Sequence, residues 1–332
     1  MLQALIRRAV GSDRAAEATT EKKLPPKPSV GLALGGGAGR GFAHLGVLRV
    51  LAAHGIEPDI VVGTSMGAVV GACYAHGQLS AFEEWARALT TRGVLGYLDV
   101  SLNGSGLIGG DRLAARLEDT LGDTMIEDLP KRFACIATEL GTGHEIWLTR
   151  GRVVDAARAS YALPGIFTPV RLGGRWLVDG ALVNPVPVSA ARALGARLVI
   201  AVNLNSDLFG RGGTISNHGP DDDDTRFLEE RRAKKSEGFR RILSPEFLLK
   251  RQLIGGARSP NISSVMIDAF NIMQDRVTRA RLAGDPPDVT ISPRLGKIGL
   301  FDFHRAKETI DIGMQAAERS IDDIAAAVEA LT

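Results

Sequence analysis

Cysteine is almost missing from this chain: Cys73 and Cys135 are the only two in 332 residues. Neither sits in a C-x-x-C pair, which argues against a thiol metal knuckle or a disulfide framework. Two reduced, buried thiols are the expectation. Aromatic residues make up only 5% of the sequence and the formal net charge is only +2. Nucleic-acid binding needs a concentrated basic stripe with stacking aromatics, so no nucleic-acid partner is expected. No run of about 18 apolar residues occurs, so no membrane-spanning helix is expected. The opening MLQALIRRAVG has too short an apolar part for a secretory leader, and Arg7 and Arg8 follow that part instead of preceding it. It reads as a flexible tail over 1–28, with a short membrane-touching arm as the alternative. A cytoplasmic location is the expectation.

What the chain has is apolar residues, 45% of the total, and 39 glycines. That suffices for one large core with an appendage. Short apolar runs at 29–34, 59–62 and 198–203 read as buried strands, and helical stretches at 41–54, 68–76 and 189–194 alternate with them. The alternation predicts an α/β fold, a mainly parallel sheet covered on both faces. Strands are expected at 133–138 and 145–149, as a paired ribbon, and at 176–178 and 288–291. Helices are expected at 153–161, 244–281 and 304–331, the last a single amphipathic terminal helix. Residues 80–129 read as helices and loops. The organisation expected is a catalytic unit over 29–204, a charged insertion over 205–243, and a mostly helical portion over 244–332. Four consecutive aspartates at 221–224 lack the spacing of a calcium loop and read as solvated charge.

The sharpest local signal is G-T-S-M-G at 63–67. A nucleophilic serine works best at a tight strand-to-helix turn, where Ser65 would project and Gly63 and Gly67 remove clashing side chains. The following helix would aim its first N–H groups at a developing negative charge. The same pentapeptide also arises by chance in a glycine-rich chain. The second signal is G-G-G-A-G-R-G at 35–41, whose amides could converge on an anion, either a nucleotide phosphate or an acyl oxyanion. No register of it satisfies G-x-G-x-x-G, and no G-K-[ST] follows, so the oxyanion is the better fit. Glycines serving only close packing are the plain alternative. Gly35, Gly36, Gly37 and Met66 are the candidate oxyanion residues, with Arg40 as added positive charge or a simple surface ion-pair partner.

A triad would need a histidine late in the chain. His218 and His304 are poorly placed for it, and His44, His54, His76 and His144 have no obvious partner loop. Asp179, in W-L-V-D-G-A, stands at a strand end followed by glycine, where sites form in parallel sheets. A buried carboxylate beside a serine can act as its base if burial raises its proton affinity. A turn-capping aspartate is the other reading.

Together G-G-G-A-G-R-G, G-T-S-M-G and D-G-A at 179–181, in this order, resemble the patatin-like phospholipase family. The stretch A-S-Y-A-L-P-G-I-F-T-P-V at 159–170 is similar to the family's segment before its aspartate. The late G-D-P-P-D-V and I-G-L-F-D-F segments resemble the bacterial branch related to neuropathy target esterase. The resemblance covers about 29–204. It implies a three-layer α/β/α sandwich and a Ser65–Asp179 dyad without histidine. It further implies oxyanion amides at 35–37, an acyl ester or (lyso)phospholipid substrate, and no metal or organic cofactor. Peripheral contact with the inner membrane face could run through 243–253, which mixes apolar and basic residues. Two rivals stay open: a binding or regulatory protein on the same fold, and a nucleotide-binding α/β protein. Oligomeric state is not set by the sequence.

Overall fold

The computed structural model of the chain describes residues 29–91, 106–108, 111–207 and 262–331. The tail over 1–28, the four aspartates at 221–224, His218 and the stripe at 243–253 lie outside the described residues.

The chain opens with β1 (Val30–Leu34), a 3-10 turn (Ala38–Phe42) and α1 (Ala43–Ala53). β2 (Ile60–Thr64) runs directly into α2 (Met66–His76), which stops at Gly77 in the left-handed conformation, φ 83°. α3 (Leu79–Arg87), the short β3 (Gly106–Ile108) and α4 (Asp111–Leu121) follow. Next come β4 (Arg132–Glu139), β5 (Glu145–Leu148) and α5 (Val153–Tyr161). Three short strands, β6 (Gly165–Phe167), β7 (Val170–Leu172) and β8 (Arg175–Asp179), lead to α6 (Val188–Ala193) and β9 (Leu198–Val202). The last part holds α7 (Ile262–Gly284), β10 (Val289–Ile291), α8 (Ala306–Glu318) and α9 (Ile321–Glu329).

The main sheet has the order β10-β9-β1-β2-β4-β8-β7, with β5 also on β4. The β10-to-β4 part is parallel, and β5, β8 and β7 pair antiparallel. Side chains alternate across each strand, and the alternation sorts them into two cores. Leu32, Leu34, Val61, Phe133 and Ile200 point to the side of α1, α2 and α8. Ala33, Val62, Ala134 and Val199 point to the other side, where Val188, Ala190 and Ala191 of α6 cover them. Helices on both faces make this the expected α/β/α sandwich. Both cysteines are buried and free, and burial pushes the Cys73 thiol up to about 12. No helix among the described residues is long and apolar enough to cross a membrane.

Two features position the site. First, β4 has two edges, and β5 takes one of them over Cys135–Thr138. The other edge is shared in tandem: β2 runs parallel along it until Thr64 meets Ile136, and β8 runs antiparallel from Asp179 opposite Ala137. The end of β2 and the end of β8 therefore meet head-on. Second, α8 lies against α1 where a Cβ on Gly46 would strike the Ile310 carbonyl, and one on Gly313 the Ala43 carbonyl. Only glycine permits that approach.

The terminal helix expected over 304–331 is two helices. α8 ends at Glu318 and the chain turns at Arg319 and Ser320. The turn buries Ile324 of α9 in the core on that face, near β9 and β10.

Candidate active site

Ser65 is the single residue between β2 and α2, with φ 56° and ψ −124°, a conformation L-residues rarely adopt. Such strain persists only where surrounding structure holds it. Here a Cβ on Gly63 would strike the Gly67 carbonyl, and one on Gly67 the Leu34 carbonyl, so the tight turn requires both glycines. The Ser65 N–H donates to Ser160 Oγ at 2.9 Å, and Ser160 Oγ donates to the Ile136 carbonyl at 2.6 Å. Thr64 Oγ1 ties the strand end to the Asn184 carbonyl at 2.8 Å.

Ser65 Oγ donates to Asp179 Oδ2 at 2.7 Å. The other carboxylate oxygen, Oδ1, accepts from the Ala181 N–H at 2.8 Å, and the Asp179 N–H donates to the Ala162 carbonyl at 2.9 Å. Asp179 is thus both a cap of the following 3-10 turn and a partner of Ser65, so the two readings of it coexist. Ser65 is 6% and Asp179 2% exposed. Burial pushes the Asp179 carboxyl from 3.8 up to about 7, against the pull of its two hydrogen bonds. A carboxylate balanced near neutrality can both take and return a proton.

The pair opens into a small cavity of about 30 Å³ walled by apolar side chains, among them Met66, Leu163, Phe167, Phe270 and Phe301. A larger apolar cavity of about 310 Å³ adjoins it, sharing Leu163 and Phe270.

The glycine loop is less generous with amides than its sequence suggests. The Gly35 N–H donates to the Val202 carbonyl at 3.1 Å, and the Gly36 N–H to the Pro185 carbonyl at 2.9 Å. Both are structural bonds, which removes Gly35 and Gly36 as free donors and leaves no phosphate cradle at those two positions. Among the described residues the N–H groups of Gly37 and Met66 take no partner, and both residues line the cavity. Arg40 also differs from expectation. It is buried, with Nε donating to the Ile298 carbonyl at 2.8 Å and Nη1 to Asn271 Oδ1 at 3.2 Å. Its guanidinium braces the loop against the C-terminal part and is absent from the cavity lining.

No histidine lines the cavity among the described residues. His44 lies behind the loop, with Nε2 2.7 Å from the Gly35 carbonyl. Burial pushes its imidazole down to about 4, so it is neutral and Nε2–H is the donor. Two site residues gave no usable sequence signal. Ser160 sits in the 159–170 stretch without a motif of its own. Gln274 reaches the cavity from α7, far along the chain.

The family model for patatin-like phospholipase matches residues 32–192, from β1 to α6. An NTE family protein of Mycobacterium tuberculosis (strain H37Rv) is 31% identical over 335 residues, covering 89% of this chain and 92% of that protein. The chain belongs to the patatin-like phospholipase family, on its NTE branch. A second NTE family protein of the same organism is 30% identical over 88% of this chain and 46% of its own length. The lysophospholipase nte1 of Emericella nidulans is 33% identical over 183 residues, 54% of this chain and 12% of that protein. Membership places the chain among lipid-ester hydrolases.

Proposed function

We propose that this chain hydrolyses acyl esters of lysophospholipids or phospholipids by a Ser65–Asp179 dyad. The observation that carries the reading is the 2.7 Å hydrogen bond from Ser65 Oγ to a buried carboxylate held near neutrality. As Oγ attacks the ester carbonyl carbon, its proton passes to Asp179 Oδ2. The carbonyl oxygen becomes an oxyanion, and the N–H groups of Gly37 and Met66 receive it. Each well-aimed donor contributes on the order of 3 kcal/mol to lowering the barrier. Collapse of the adduct breaks the ester C–O bond, and the leaving alcohol takes the proton from Asp179. Water then attacks the acyl-serine and gives its proton to Asp179. The second collapse releases the fatty acid and returns the proton to Ser65 Oγ. The scheme uses only this chain's groups and water.

Apolar walls around the dyad favour a hydrocarbon acyl chain, and the adjoining cavity past Leu163 and Phe270 extends that surface. A lipid would arrive past α7, which exposes Val265, Met266 and Ile272, each about half accessible. Those side chains make peripheral membrane contact the natural mode of access.

The test is hydrolysis of a chromogenic acyl ester, with a fluorophosphonate label located by mass spectrometry. Ser65→Ala and Asp179→Asn each lose at least about 10³-fold in kcat, and the label lies on Ser65. Full activity in both variants, or a label elsewhere, rejects the dyad.

A further inference from the structure

The cavity carries no cationic side chain among the described residues. An oxyanion there must be held by neutral dipoles alone, so every additional donor weighs heavily. Of the polar side chains lining it, Ser65, Asp179 and Tyr161 offer oxygens, and Gln274 alone carries an N–H. Gln274 stands on α7, beyond the matched stretch 32–192, and is 1% exposed.

Its orientation follows from its neighbours. The Gly36 carbonyl can only accept, so Asn205, 3.5 Å away, turns Nδ2 toward it. The same Nδ2 lies 3.4 Å from Gln274, which must therefore present Oε1. Nε2 is left facing the cavity. A methyl group built on Gly36 would lie 3.4 Å from Ser65 Cβ and 3.5 Å from Gln274 Nε2. The Ser65 side chain and the Gln274 amide thus border one spot beside Gly36. Among the described residues no acceptor holds Nε2. A nearly buried amide without an acceptor is unfavourable, and the oxyanion supplies one.

We infer that Gln274 donates its Nε2–H to the oxyanion, a third donor beside the N–H groups of Gly37 and Met66. The inference rests on the Ser65–Asp179 reading. It makes α7 a part of the catalytic machinery, so the oxyanion site is complete only with the C-terminal part docked.

The experiment measures kcat and KM on a chromogenic acyl ester, from pH 5 to 9, for wild type, Ser65→Ala, Gln274→Leu and Gln274→Glu. Gln274→Leu keeps the bulk and removes the donor; kcat falls by about 10²-fold while KM moves less than about threefold. Gln274→Glu separates a donor from a packing residue. Its carboxylate repels the oxyanion, whereas its protonated form donates again. The variant therefore shows a bell-shaped pH profile with its maximum on the acid side, where wild type rises to a plateau. Wild-type kcat in Gln274→Leu, or a Gln274→Glu profile shaped like wild type, overturns the inference. If Gln274→Leu does not fold, the Gln274→Glu profile decides alone. A Ser65→Ala protein as active as wild type overturns the dyad reading instead.

Discussion

Replacing Asp179 by asparagine should abolish turnover and at the same time change how stability depends on pH. The side chain is isosteric: Oδ1 can still accept from Ala181, and the amide can face Ser65 Oγ. What disappears is a buried titration. Wild-type Asp179 holds its proton up to about pH 7 when folded, against an ordinary value of 3.8. At about 1.36 kcal/mol per tenfold, that gap corresponds to on the order of 4 kcal/mol between its two charge states. The folded-state value is raised, so this stability is fully present below the ordinary value and is lost as pH rises through the folded value. Across the window from pH 5 to pH 8, wild type therefore loses roughly 2–3 kcal/mol that the asparagine variant does not. Urea denaturation of both proteins at pH 5 and pH 8 reads this directly, because every other titrating group cancels in the double difference. In parallel, wild-type log kcat/KM rises with unit slope below about pH 7 and levels above it. A stability difference between the two proteins that stays constant from pH 5 to pH 8 would refute the raised carboxyl and, with it, the argument that Asp179 can deprotonate Ser65.

Ser160→Ala leaves the Ser65 N–H without its acceptor in a buried site. It is expected to cost about 1–3 kcal/mol, seen as a lower melting temperature, and to lower kcat because the strained turn at Ser65 relaxes. Gly313→Ala forces a methyl group into the Ala43 carbonyl. The α1–α8 contact should weaken by about 1–3 kcal/mol, read as a lower urea midpoint with unchanged m-value. Arg40→Met removes the bonds to Ile298 and Asn271. Its melting temperature should fall by several degrees, while kcat at low temperature falls far less than in Gln274→Leu. An Arg40→Met protein of normal stability but abolished kcat would restore Arg40 to the oxyanion site.

Much of the fold was legible because parallel strands buried on both faces are written as unbroken apolar runs, as in Val30–Leu34 and Leu198–Val202. The elbow was legible because Gly63 and Gly67 flank Ser65 for steric reasons that act within five residues. The three-residue strands β6 and β7 were not foreseen, since so few residues carry no periodic signal. The break between α8 and α9 was hidden for a related reason. One amphipathic period runs through it, and only the competing surfaces of α1 and the β9–β10 edge force the turn.

Sequence alone determined which side chains could do chemistry here: a serine at a strand-to-helix turn, an aspartate at a strand end, and a glycine-rich anion loop between them and the first strand. Those are local patterns, governed by steric demands within a few residues. Tertiary structure decided which of the loop amides are free, since distant carbonyls of Val202 and Pro185 claim two of them. It also decided how basic Asp179 is, because burial is a property of the whole packed core and of no single segment. And it brought Gln274 into the cavity from a helix that no motif marks, because hydrogen-bond partners in a folded chain are set by proximity in space, which sequence separation does not encode.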